Sequence, residues 1–128
     1  MSYNELTRSY FSKAPCAGTL EGPDRFRGAA GDPAQGAWVQ FDVRAVAGST
    51  PALIEAVRFQ AFGCPHLIAV AGWLAEHAPR RPIEPRLPQS VSELRERFAV
   101  PVEKTGRLLI VEDAWIAAMR AALGVPAP

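Results

Sequence analysis

The chain has 128 residues, of which 48% are hydrophobic and 21% charged, and its net charge is +1. That balance excludes disorder over most of the length and points to one compact domain, 1–128, because domains run to about 100–150 residues. With neither a basic block nor interleaved basic and aromatic residues, nucleic acid and anionic membrane surfaces are excluded as partners. No stretch reaches the roughly 20 apolar residues of a membrane span, so the partners to expect are protein or metal.

The opening MSYNELTRSYF lacks an apolar signal core, which makes the cytoplasm the expected compartment. In that compartment Cys16 and Cys64 read as free thiols. Ser2 and Glu5 form a capping-box pattern, and Tyr3, Leu6 and Tyr10 fall on one face of a helix over 2–11. Its aromatic side is expected to dock on a sheet. Pro15, Gly18, Gly22 and Pro23 mark an irregular connection, followed by a weak strand over 25–28.

From Val39 to Val46, apolar Val39, Phe41, Val43 and Ala45 alternate with Gln40, Asp42 and Arg44, the period-two signature of a strand with one wet face. Turn chemistry over 47–51 leads to a second alternating strand through Val57, Phe59 and Ala61, which together imply an antiparallel hairpin. Residues 64–78 are apolar nearly all round, as in a helix between a sheet and other helices. Pro65 at its first position makes Cys64 the N-cap.

Prolines 79, 82, 85 and 88 recur every third residue, predicting an extended polyproline II segment. It reads either as a stiff surface connection or as a ligand for a proline-reading domain. Ser90 with Glu93 caps a short helix ended by Pro101, and a last helix runs over 108–123, with Leu108, Val111, Trp115 and Ala122 on one side. Gly124 and Pro126 are its stop signals, and Glu112 and Asp113 suit the dipole at its start. The order predicts an α+β fold, a two- to three-stranded antiparallel sheet with helices on one face.

Gly31-Asp32-Pro33-Ala34-Gln35-Gly36-Ala37, Phe59-Gln60-Ala61-Phe62-Gly63-Cys64, Val100-Pro101-Val102-Glu103-Lys104 and Ile110-Val111-Glu112-Asp113-Ala114-Trp115 occur in this order. In these segments the chain resembles the IscU/NifU N-terminal family of iron-sulfur cluster assembly scaffolds, over nearly its whole length. The resemblance implies that fold, an iron-sulfur cluster or zinc as the bound group, and a cysteine desulfurase or another scaffold protein as partner. It also implies that Gln35 stands at the family's first cysteine, Ala37 at its aspartate, and Gly106 and Arg107 at its His-Cys pair. Of the usual ligands only Cys64 remains, too few for four-coordinate zinc or a thiolate-held cluster.

Cys64 at a helix N-terminus reads either as a thiolate suited to sulfur acceptance or metal ligation, or as a small buried residue. His66 is a candidate second donor and Cys16 a third; the alternative for His66 is a packing or surface histidine. His77 reads as a cation at a helix C-terminus. Arg107 either favours an ionised Cys64 or is a solvated residue at the start of the last helix. These residues point to a non-enzymatic scaffold-like protein, a degenerate or accessory member with weak or no cluster binding. The alternative is an interaction module without metal or sulfur chemistry, using a face around Trp38, Trp73 or Trp115. A third, an enzyme with Cys64 as nucleophile, lacks a base placed by sequence.

Overall fold

The structure, a computed structural model, describes residues 3–125. Three antiparallel strands, β1 (Arg25–Asp32), β2 (Ala37–Ala45) and β3 (Ile54–Phe62), lie in the order β1-β2-β3. Four helices accompany them: α1 (Glu5–Lys13), α2 (Pro65–Glu76), α3 (Val91–Arg97) and α4 (Thr105–Leu123). The architecture is the α+β arrangement that the element order predicts, with α4 packed on β1 and β2 and α2 packed on β3.

The alternation in β2 turns Val39, Phe41 and Val43 into the core, all with no exposed surface. There Phe41 meets Trp115 of α4 edge to face at 5.2 Å. α4 reaches β1 because residue 28 is glycine: a Cβ there would stand 2.1 Å from the Ala118 amide nitrogen and 2.5 Å from the Ala117 carbonyl carbon. Helix backbone therefore lies directly on strand backbone.

Several expectations need correction. β1 runs to Asp32 rather than stopping near residue 28, and it is joined to β2 by a 3-10 turn over Pro33–Gln35. Asp42 is not on a wet face. The 20–24 connection folds across it, Arg27 and the Leu20 amide bond its carboxylate, and only 1% of the residue is exposed.

α1 docks on α2 rather than on the sheet, because α2 and α4 already occupy the sheet's apolar face. Tyr10 meets Phe98, and Thr7 donates from its hydroxyl to the Phe98 carbonyl at 2.8 Å. Asn4 is the N-cap of α1, accepting from the Thr7 amide at 2.9 Å; Ser2 lies outside the described residues.

The proline-rich segment does more than connect. Ile83 and Leu87 are buried, and backbone bonds from Ile54 to Arg81 and from Ile83 to Ala52 fasten the segment beside the start of β3. Ser90 caps α3 by accepting from the Glu93 amide at 3.1 Å. α4 begins at Thr105, one turn earlier than the apolar spacing suggests, which puts Gly106 and Arg107 inside its first turn. Glu112 and Asp113 consequently sit two turns in, where they no longer complement the helix N-terminus. Gly124 ends the helix in a left-handed conformation, and Pro126 lies outside the described residues.

Candidate functional site

Three chain segments meet at one end of the sheet: the β1–β2 turn, the β3–α2 junction and the start of α4. Gly31 permits the turn. Its φ is +89°, and a Cβ there would lie 2.3 Å from the Ala37 carbonyl oxygen, so the β1–β2 corner closes only around a glycine. Gly63 at the end of β3 faces the turn, where a Cβ would stand 3.3 Å from the Gly36 carbonyl oxygen. Cys64 follows as the N-cap of α2, with Pro65 at the first helical position.

Gln35, Ala37, Gly106 and Arg107, about 70 residues apart in two pairs, line a single cavity of about 300 Å³ together with Gly31, Asp32, Glu103 and Ile110. Cys64 is not among its lining residues; Gly63 links the thiol's helix to the cavity rim. Arg107 is half-buried, and its Nε is buried without a hydrogen-bond partner.

His66 sits in the first turn of α2 and is 1% exposed. The Tyr3 ring covers it edge-on at 4.7 Å, the Lys104 ammonium lies 5.8 Å from the Tyr3 ring centre, and the imidazole Nδ1 has no partner. Burial, and then the Lys104 charge, push its pKa below the usual histidine range. A neutral imidazole is the form in which histidine binds a metal.

Cys16 lies elsewhere. Its carbonyl accepts from the Phe59 amide at the outer edge of β3, and its thiol feels Arg58 and also Glu76, the last residue of α2. The 12 residues of α2 span roughly 18 Å, so Cys16 and Cys64 belong to opposite ends of that helix. Burial pushes the Cys16 thiol pKa up; Arg58 opposes the rise and Glu76 adds to it. At the same end, burial and a 2.5 Å hydrogen bond to Glu76 push Tyr10 up to about 12. His77 is fixed by a 2.9 Å contact of Nδ1 with the Trp73 carbonyl and stacks on Trp73.

Among the described residues, no three His, Cys, Asp or Glu side chains converge as a metal-holding group. The cavity offers an amide, a methyl, a bare glycine and a guanidinium at the four positions singled out by resemblance. That donor set does not fit an iron-sulfur cluster or tetrahedral zinc, because a guanidinium carries donors only and stays protonated. Of the three tryptophans, Trp73 and Trp115 are buried and Trp38 is half-buried. The burial of His66 agrees with the packing alternative and with an all-round apolar α2, whereas that of the Arg107 Nε had no signal in the sequence, since it depends on packing from distant segments. No helix among the described residues is long and apolar enough to cross a membrane.

No protein-family model and no curated protein matches the chain. Solved structures do. A nitrogen-fixing NifU-like protein (N-terminal) from Brucella abortus superposes with a TM-score of 0.71 at 13% identity, covering 94% of each chain. An iron-sulfur cluster assembly scaffold protein for the SUF system from Fervidobacterium islandicum gives 0.54 at 9% identity, covering 96% of this chain and 95% of that one. A third, a hypothetical protein, gives 0.55 at 15% identity, covering 93% and 94%. At these identities likeness establishes the fold alone: the chain folds as NifU-like N-terminal domains and SUF-type scaffolds do.

Proposed function

We propose that this protein is a non-enzymatic, scaffold-like member of the iron-sulfur cluster assembly system. On this reading it works in the cytoplasm with a cysteine desulfurase or another scaffold and holds no stable cluster of its own. One observation carries the reading: Gln35, Ala37, Gly106 and Arg107 share a cavity beside the Cys64 helix, and none of the four supplies a thiolate, imidazole or carboxylate. The likeness to scaffold proteins adds an analogy of fold, which is a weaker warrant than the site.

Cys64 then acts as a single sulfur acceptor. Its thiolate attacks the outer sulfur of a donor persulfide; a new S–S bond forms at Cys64 as the donor's S–S bond breaks, and the donor leaves as a thiolate. No external oxidant is required.

Anaerobic reconstitution with iron and sulfide, on the parent and on Cys64→Ala, tests the reading. Neither should develop the visible absorption of a stoichiometric cluster. A cluster in the parent that disappears in Cys64→Ala overturns it.

A second reading, an interaction module without sulfur chemistry, is favoured by Phe62, which is 56% exposed two residues before Cys64. Capture of a partner that is indifferent to Cys64→Ala but lost in Phe62→Ser would select it.

A further inference from the structure

The cavity between the β1–β2 turn and α4 contains charges of both signs that do not neutralise one another. Arg107 lines it from α4, while Asp32 lines it from the end of β1 and Glu103 from the turn before α4. None of the ion pairs among the described residues joins Arg107 to either carboxylate, so each carboxylate oxygen stands more than 4.0 Å from the guanidinium nitrogens. The buried Nε of Arg107 also lacks a hydrogen bond. Asp32 gives one oxygen to the Ala34 amide at 2.9 Å and has no other hydrogen bond, and Glu103 has none from its side chain.

Arg107 is half-buried, Asp32 and Glu103 are exposed, and the outer guanidinium nitrogens make no hydrogen bond or ion pair to the described residues; a carboxylate is the acceptor whose geometry matches them. A simple anion would satisfy Arg107 but would face Asp32 and Glu103 across a small space, at a repulsive cost. A simple cation has the converse difficulty. A ligand that carries an ammonium and a carboxylate on one carbon bridges the gap and satisfies both ends. The cavity, about 300 Å³, is small, and Gly106 leaves open space where a side chain would stand.

We infer that this cavity binds a small α-amino acid as its zwitterion, with the carboxylate on Arg107 and the ammonium on Asp32 and Glu103. The Gln35 amide lines the same cavity and is able to bond either end of the ligand. Aliphatic Ala37 and Ile110 line the remaining wall, which suits a ligand with a small apolar or polar side chain. The inference concerns ligand chemistry at the cavity and holds whether or not Cys64 accepts sulfur.

The test is a titration of the isotope-labelled protein with L-alanine, followed through the amide signals of Gly31 and Gly106 and the side-chain amide of Gln35. Acetate and methylamine serve as single-charge probes. The expected result is a saturable shift of those signals with L-alanine, with at least tenfold weaker response to either single-charge probe. Arg107→Gln should weaken L-alanine binding at least tenfold. Asp32→Asn combined with Glu103→Gln should do the same while keeping the side-chain oxygen that caps Ala34. Acetate binding as tightly as L-alanine would make this a plain anion site and overturn the inference. So would an unchanged titration in Arg107→Gln, or no shift with L-alanine up to its solubility limit.

Discussion

Replacing Asp42 tests how the sheet's polar face is held. Its carboxylate accepts from Arg27 Nε at 2.7 Å, from the second Arg27 nitrogen at 3.1 Å and from the Leu20 amide at 2.9 Å, with Arg25 at 3.8 Å. Asp42→Ala leaves the Leu20 amide without an acceptor, a cost of about 1–3 kcal/mol. It also removes the charge-assisted bonds to Arg27, about 1.5–3 kcal/mol before screening by solvent. Arg27 is 40% exposed and regains water, so that second contribution is discounted by about half. The expected loss is about 3 kcal/mol, or roughly a 10 °C fall in Tm for a domain of this size. Asp42→Asn keeps an oxygen for Leu20 and should lose about half as much. Urea unfolding followed by tryptophan fluorescence reads both variants, with m unchanged. Burial pushes the Asp42 pKa up, but the Arg27 hydrogen bond, the Leu20 amide and the arginine charges bring it below the usual aspartate range. A depressed carboxylate pKa contributes stability above about pH 3.9 that is lost as pH falls through the folded value, so the parent–variant gap should close in acid. Asp42→Ala within 0.5 kcal/mol of the parent, or equal to Asp42→Asn, would refute this reasoning.

Gly28→Ala forces a methyl into α4 backbone that has no flexible side chain to yield, so it should cost at least about 3 kcal/mol by thermal unfolding, whereas Ala29→Gly costs about 1. His66 is buried with its folded pKa below the unfolded value; the neutral form is favoured by folding, so its contribution is intact above about pH 6.5 and declines as pH falls below that. The stability difference between the parent and His66→Leu, measured from pH 8 to 5 (about 1.5 units either side of the unfolded value), should shift against the parent in acid. In Cys64→Ala the remaining thiol, Cys16, has a raised pKa and should label slowly at neutral pH, with a rate that climbs only above the pH where a free cysteine peptide reacts.

The parts of the fold legible in sequence were those governed by local pattern. Strict alternation placed β2 and β3, Pro65 placed the start of α2, and Ser90 with Glu93 placed α3. The parts that were not legible depend on contacts between distant segments. β1 is spaced by Gly28, Ala29, Ala30 and Gly31, residues poor in strand propensity, and it is a strand because β2 pairs with it on one side and α4 lies on its face. Asp42 reads as solvent-facing until residues 20–24 cross over it. At the site, Arg107 reads as a residue at the start of a last helix over 108–123; the helix starts earlier, at Thr105, because Thr105, whose hydroxyl donates to the Val102 carbonyl at 2.7 Å, continues the turn of 102–104 directly into α4. The meeting of Gly106 and Arg107 with Gln35 and Ala37 followed from the resemblance and from no feature of local spacing.

The walls of the cavity are set by backbone, not by the side chains whose chemistry is in question. Gly31 closes the β1–β2 corner, Gly63 brings β3 against Gly36, and the first turn of α4 supplies the opposite wall. Donor chemistry is therefore separable from shape, and restoring donors should restore metal binding without refolding the site. Gln35 is exposed, and a side chain at Gly106 meets open space, so Gln35→Cys, Gly106→His and Arg107→Cys each fit the existing backbone. With Cys64 the triple variant presents three thiols and an imidazole, a complete tetrahedral set for zinc. It should bind one zinc ion stoichiometrically and gain thermal stability with metal, the parent should do neither, and adding Cys64→Ala to the triple variant should weaken binding at least tenfold. A triple variant that folds yet binds no more zinc than the parent would mean that the cavity and Cys64 are not parts of one ligand-competent site. The account of this protein as a scaffold without its donors would then fail on geometry, whatever its fold resembles.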